Sequence, residues 1–259
     1  MTIQQELDTL APIERLASVD STQVLARRKV QSGEIGDHAR FIVADIQTGG
    51  VGRFGRTIVS PKGGLWCTLV WPMTREPARV IHGLGLRVGV ALIRAVEHVL
   101  SAHGHGERVM LKWPNDAILN GRKIGGVLCE TMSREGRTYA IVGVGVNANF
   151  SVDALPAELR SIATTLADET GANVNLERLT QEVRRRLCEA LSGEGLPLAT
   201  LVDVREHLYG VGHNATITLP DRTTVTGVVD GLTDEGRLRM RTNTGEYVAP
   251  LGAEIVVGG

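Results

Sequence analysis

The chain has 259 residues, 42% of them hydrophobic, and a formal net charge of −1. That length and apolar content exclude a generally disordered chain and allow a large core with a smaller one beside it, while the near-zero charge excludes whole-molecule attraction to DNA, so any anion site must be local. Three cysteines without paired spacing, Cys67, Cys129 and Cys188, fit reduced core thiols rather than a disulfide or zinc framework, and a cytoplasmic location is the expectation.

The N-terminus, MTIQQELDTLAPIERL, carries acids and polar residues where a signal peptide needs an apolar core, and no stretch is apolar enough to span a bilayer. No membrane partner is expected. Residues 25–30 read as a helix, with Asp20, Ser21 or Thr22 in place to cap it. RFIVADIQT then reads as a strand that runs into a glycine-rich loop, and LWCTLVW as a strand apolar enough to be buried on both faces. Between residues 77 and 103 the apolar positions Val80, Leu84, Val88, Leu92 and Val99 recur at helical spacing and predict one core helix, with Gly83, Gly85 and Gly89 allowing close backbone packing. ERVMLKWPND, AILNGRKIGGVLCET and RTYAIVGVGVNANF predict an antiparallel meander whose Asn120-Gly121 pair marks a tight hairpin. Residues 175–191 predict a further helix with Leu176, Leu179, Val183 and Leu187 on one face. From about residue 212 short alternating strands separated by PD, TDEG and NTG turns predict a small β-barrel. The fold class is therefore α+β, with one unit over residues 1–209 and a small β unit over residues 210–259.

Three features carry chemistry. Residues 47–66, QTGGVGRFGRTIVSPKGGLW, hold six glycines with Arg53, Arg56 and Lys62. Backbone N–H groups freed of side-chain obstruction, beside guanidinium forks, suit an anion, although a glycine-rich turn with solvated arginines has the same composition. No GK[ST] follows and no helix opens, so this is neither a Walker loop nor a dinucleotide fingerprint. Alternation places Val109, Leu111 and Trp113 on one strand face and Lys112 with Met110 on the other, so the ammonium of Lys112 must reach water or an anion. Pro114 stops this strand, and Asn115 and Asp116 form the turn. Gly143 and Gly145 leave one face of the last strand bare, for a flat ligand or for a closely packed neighbour.

Taken in order, DSTQ, QTGGVGRFGR with SPKGGLW, KWPND, KIGGVLCE and VGVGVNAN resemble the biotin protein ligases over nearly the whole chain, from about Val19 onward. The resemblance implies a catalytic domain of the class II synthetase type (residues 1–209) followed by an SH3-like domain (residues 210–259). It implies ATP-dependent transfer of biotin to a lysine of a biotin carboxyl carrier protein through biotinyl-AMP, with magnesium carried by ATP. Lys112, Arg53 and Arg56 match the catalytic positions. Ser21, Thr22, Gln23, Gln47, Gly50, Gly52, Gly126 and Val127 match biotin-contacting positions. Arg53 and Arg56 again, Trp66, Asn115, Gly143, Gly145 and Asn147 match adenylate positions, with residues 163–166 (ATTL) beside the adenine. No metal ligand is assigned. The motifs begin so near Met1 that no DNA-binding winged helix is expected, and a homodimer through a sheet edge is the expected assembly.

The sequence departs from the family pattern at Val51, where an arginine is usual and Lys62 could compensate, at Gln23 for asparagine, at Ile58 for tryptophan and at Gly258 for arginine. A lipoate ligase, or a protein that binds biotin or its adenylate without transferring it, are the competing readings.

Overall fold

The fold was obtained as a computed structural model, which describes residues 11–74, 76–250 and 252–258. The β-branched and aliphatic runs of the first 150 residues assemble into one seven-stranded sheet. Its strands are β1 (Ile13–Leu16), β2 (Arg40–Ala44), β5 (Leu65–Met73), β6 (Met110–Lys112), β7 (Asp116–Leu119), β8 (Arg122–Arg134) and β9 (Arg137–Val146), in the order β1-β2-β5-β9-β8-β7-β6. Only β1 and β2 run parallel; the other neighbours are antiparallel. The strand expected to run unbroken into the glycine loop stops at Ala44, and a separate two-stranded hairpin, β3 (Gln47–Val51) with β4 (Thr57–Ser60), carries the loop.

Register decides what each face of the central sheet presents. Trp66 lies opposite Gly145 and Thr68 opposite Gly143, while Gly126 and Leu128 of β8 lie opposite the same two glycines. Paired residues share a face, so three adjacent central strands place glycines and a threonine side by side and form a trough. The opposite face presents Leu65, Cys67, Leu69, Val142, Val144 and Val146, all buried, to the main core.

Helix α1 (Thr22–Ser32) starts at Ser21, whose hydroxyl accepts from Val24 N–H at 3.4 Å, and ends at Gly33 with φ 79°. Ala26 and Val30 of this helix pack with Ile42, Val70 and Ile141 on the trough side of the sheet. One end of the trough is therefore covered and the other stays open. The helix expected over residues 77–103 is two helices, α2 (Pro77–Ile81) and α3 (Leu84–Ala102). Gly83 between them has φ 67°, and a Cβ there would meet Leu196 at 2.8 Å, so the break is a turn that a periodicity count passes over. Gly89 has the packing role expected of it: a Cβ would lie 3.0 Å from Leu111 of β6. After the short α4 (Leu166–Thr170), α5 (Leu176–Ser192) begins at Asn175, which caps Arg178 N–H at 2.9 Å, and buries Leu179, Val183 and Leu187. Asn120 and Gly121 have φ 48° and 77° and make the expected hairpin. Neither β1 nor α6 (Leu198–His207) is apparent from sequence pattern; α6 buries only Leu201, Val204 and His207.

The tail forms the small all-β unit: β10 (Asn214–Thr218), β11 (Thr224–Leu232), β12 (Leu238–Thr242), β13 (Gly245–Val248) and β14 (Glu254–Val257), in the order β13-β12-β11-β10-β14. Trp113 Nε1 donates to the Gly236 carbonyl at 3.1 Å, tying the KWPND turn to this unit. Among the described residues no helix is long and apolar enough to cross a membrane.

Candidate active site

The trough holds a cavity of about 490 Å³ that reaches under α1 at the covered end and is walled at the open end by the β3–β4 loop, the KWPND turn and the β14 edge. All but one of the residues expected to touch ligand line it: Ser21, Thr22, Gln23, Gln47, Gly52, Arg53, Arg56, Trp66, Lys112, Asn115, Gly126, Val127, Gly143, Gly145 and Asn147. Gly50 is the exception. A Cβ on it would lie 2.7 Å from the Ile58 carbonyl and 2.8 Å from Ser60 Oγ, so its place is inside the β3–β4 hairpin, where no side chain fits.

The covered end is lined by neutral polar groups, with the Glu130 carboxylate behind them. Gln47 Oε1 accepts from Thr22 N–H at 2.9 Å and from Thr22 Oγ1 at 3.0 Å, and Gln47 Nε2 donates to Ser60 Oγ at 3.0 Å. Gln23 Nε2 donates to Glu130 Oε2 at 2.9 Å and to the Ile141 carbonyl at 3.2 Å. Thr68, fully buried and lining the cavity, lies between them, 2.9 Å from Thr22 Oγ1. This end suits a small, uncharged ligand group with both donors and acceptors.

The bare face of β9 is filled from within the protein. A Cβ on Gly145 would lie 3.3 Å from the Trp66 ring, and one on Gly143 would lie 2.6 Å from Gln23 Oε1. Trp66 is itself fixed by donating Nε1 to the Pro61 carbonyl at 2.8 Å. Gly143→Ala is therefore expected to push Gln23 off its partners and weaken binding of whatever occupies this end by about 10-fold. Calorimetric titration of the variant would check this, and unchanged affinity would show that the amide can move freely.

The other end is cationic. Arg53, Arg56, Lys112 and Lys123 line it against two carboxylates, Asp116 and Glu254. Asp116 sits between two ammonium groups, with Lys112 Nζ at 3.4 Å from Oδ2 and Lys123 Nζ at 2.6 Å from Oδ1. Arg53 Nη1 donates to Asn115 Oδ1 at 3.1 Å, and its Nη2 donates to the Gly252 and Ala253 carbonyls at 3.4 Å. Arg56 pairs with Glu254. Burial draws the Arg53 pKa below its ordinary value, Glu254 and Asp116 draw it back up, and Arg56 pushes it down; a guanidinium keeps its charge throughout. Between the two arginines Phe54, 62% exposed, holds a left-handed backbone, φ 56°, with the Arg53 guanidinium 5.0 Å from its ring centroid.

Asn115 aligns the turn as well as Arg53, since Nδ2 donates to the Val127 carbonyl at 2.8 Å. Asn147 Nδ2 donates to the Thr164 carbonyl at 3.0 Å and so holds residues 163–166 beside the cavity, where Ala163 lines the wall and the other three do not. Val51 lines the cavity without adding charge. Lys62, the residue that could have compensated for it, is not among the lining residues; Lys123 is. Thr68, Lys123 and Glu254 went unassigned at the sequence level. Lys123 opens the KIGGVLCE motif and Thr68 is the one polar side chain apart from Trp and Cys in the apolar run LWCTLVW, whereas Glu254 arrives from far along the chain with no local signal.

The biotin/lipoate A/B protein ligase family matches residues 16–147, about half of the chain. The chain belongs to this family. The biotin protein ligase C-terminal domain matches residues 212–258. The biotin–[acetyl-CoA-carboxylase] ligase of Paracoccus denitrificans is 30% identical over 250 residues, covering 94% of this chain and 100% of that one. The bifunctional ligase/repressor BirA of Bacillus spizizenii is 30% identical over 240 residues, covering 88% of this chain and 68% of that one. Among solved structures, the biotin protein ligase of Aquifex aeolicus in complex with biotin and ATP superposes with a TM-score of 0.79 at 25% identity, covering 95% of this chain and 99% of that one. Membership of the family gives the cavity a context: a neutral polar end joined to a cationic end within one cleft.

Proposed function

We propose that the chain joins biotin to a lysine of a biotin carboxyl carrier protein, using ATP and passing through biotinyl-5'-AMP. The observation that carries this reading is the division of the cleft, with amides and hydroxyls at the closed end and four cationic side chains at the open end. Biotin has a ureido ring and a carboxylate at opposite ends of an apolar body, and the cleft has matching ends.

The carboxylate must approach the α-phosphate of ATP. Two unit anions 4 Å apart repel by about 4 kcal/mol at an effective dielectric constant of 20, and Arg53, Arg56, Lys112 and Lys123 counter that repulsion. The carboxylate oxygen forms the new P–O bond as pyrophosphate leaves. The carrier lysine amine then attacks the acyl carbon, and AMP leaves. Lys112 follows the charge on the α-phosphate through both steps, and the Arg53–Asn115 bond aims the guanidinium.

Both carboxylates lining the cleft already face cations, so these residues fit a magnesium ion held by the nucleotide's own oxygens better than one held in a protein cage. The metal-like group of Asp203, Glu206 and His207 lies on α6, outside the cleft, and Arg94 already binds Asp203. Names of similar proteins add support: the Paracoccus relative is a biotin–[acetyl-CoA-carboxylase] ligase and the Aquifex neighbour holds biotin and ATP.

The test is incubation with biotin, ATP and magnesium, with and without a carrier domain, following pyrophosphate and carrier mass. A carrier heavier by one biotinyl group is the expected result. Modification by lipoate in place of biotin would make the chain a lipoate ligase. Biotin binding without pyrophosphate release would make it a binding protein.

A further inference from the structure

Gln23 is 3% exposed, and the groups around its carboxamide leave it one orientation. Its nitrogen faces a carboxylate, Glu130 Oε2 at 2.9 Å, and a carbonyl, Ile141 O at 3.2 Å. Both are acceptors only, so the amide cannot turn over without placing oxygen against oxygen. Gln23 Oε1 is thereby presented to Thr68 Oγ1 at 3.2 Å.

Thr68 has one proton and two acceptors within reach, Gln23 Oε1 and Thr22 Oγ1 at 2.9 Å. If the proton points to Thr22, the Thr22 hydroxyl must donate onward to Gln47 Oε1, which already accepts from Thr22 N–H. Both lone pairs of that oxygen are then taken. If the proton points to Gln23, Thr68 can accept from Thr22, and Gln47 Oε1 regains a lone pair for a donor in the cleft. A cyclic urea brings ring N–H donors, so only the second arrangement offers them an acceptor at Gln47.

We propose that Glu130 is a positioning residue for the biotin pocket: by locking Gln23 it gives Thr68 a second acceptor, which lets the hydroxyl chain turn and expose Gln47 Oε1 to a ureido N–H. This rests on biotin being the ligand. Glu130 reaches no part of the cavity wall itself and is backed by Arg27, Nε to Oε2 at 3.7 Å. Its effect is therefore carried through Gln23.

The experiment is calorimetric titration of biotin, of AMP and of a biotin analogue methylated on both ring nitrogens, with thermal unfolding of each protein. Wild type is compared with Glu130→Gln, Glu130→Ala and Glu130→Lys. Glutamine still offers an acceptor oxygen and should bind biotin within about 2-fold of wild type, alanine should be weaker, and lysine, a donor that favours the reversed amide, about 10-fold weaker or more. AMP affinity and the weak binding of the methylated analogue should be the same throughout. If the lysine variant does not fold, Gln23→Leu removes the amide altogether and should show the same selective loss. Biotin affinity equal to wild type in folded Glu130→Lys or Gln23→Leu would overturn the proposal, as would a parallel loss of AMP binding. A wild-type protein that binds no biotin would instead overturn the ligase reading, and this proposal with it.

Discussion

Lys112→Ala is expected to slow adenylate formation by about 100- to 1000-fold while biotin affinity stays within about 3-fold of wild type. The separation follows from where the side chain starts and ends. Leu111 and Trp113 on either side are buried in the core and fix the strand, so the lysine stem leaves β6 in one direction. Its ammonium lies at the cationic end of the cleft, away from the Thr22–Gln47–Thr68 network that would hold the uncharged end of the ligand. Charge on the α-phosphate oxygens grows as the carboxylate attacks, so a cation there lowers the barrier more than it tightens the ground state. Loss of the ammonium leaves Asp116 still paired with Lys123 at 2.6 Å, so no carboxylate is stranded and the fold should hold. Single-turnover pyrophosphate release and biotin titration on the same variant would check both halves. Adenylation near the wild-type rate would remove Lys112 from the mechanism.

The parts of this site that could be read from sequence are those where a backbone need shows as a residue type. Asn120-Gly121 declared its hairpin, the Asp20–Ser21–Thr22 run offered the cap that Ser21 supplies, and the Val109–Leu111–Trp113 alternation put Lys112 on the accessible face, because each is a short-range rule. Gly143 and Gly145 were visible as a bare face, but what fills it was not: Trp66 and Gln23 reach it through strand register and helix packing, which are long-range. The glycine at residue 83 shows the reverse fault. Helical spacing continues across it, and its positive φ, together with the extended ψ of 120° at His82, divides α2 from α3. Glu254 and the carbonyls of Gly252 and Ala253 meet Arg53 and Arg56 across about 200 residues of chain, a juxtaposition set by how the C-terminal sheet packs on Trp113 and not by local pattern.

That juxtaposition underlies the second large effect. Arg53→Gly is expected to raise the rate at which the adenylate leaves by about 10- to 100-fold, the loss of a charge-assisted bond of about 1.5–3 kcal/mol. The two bonds from Arg53 to the Gly252 and Ala253 carbonyls are long, 3.4 Å, and involve neutral acceptors. A phosphate oxygen is the better partner for a guanidinium fork, so an adenylate should take Nη2 from these carbonyls while Asn115 at 3.1 Å keeps Nη1 aimed. Glycine at this position would also produce the run GGVGGFG, adding backbone freedom to a loop that must stay ordered over a reactive mixed anhydride. Escaping adenylate would acylate exposed lysines without regard to the carrier, so labelling of an unrelated protein such as serum albumin should rise as carrier labelling falls. Arg53→Lys separates the two causes. It keeps the charge and the ordinary backbone but loses the fork, and should leak at an intermediate rate. If leakage in Arg53→Lys equals that in Arg53→Gly, the fork geometry is what holds the adenylate; if it equals wild type, charge alone is enough; and an unchanged off-rate in Arg53→Gly would take the arginine out of adenylate retention.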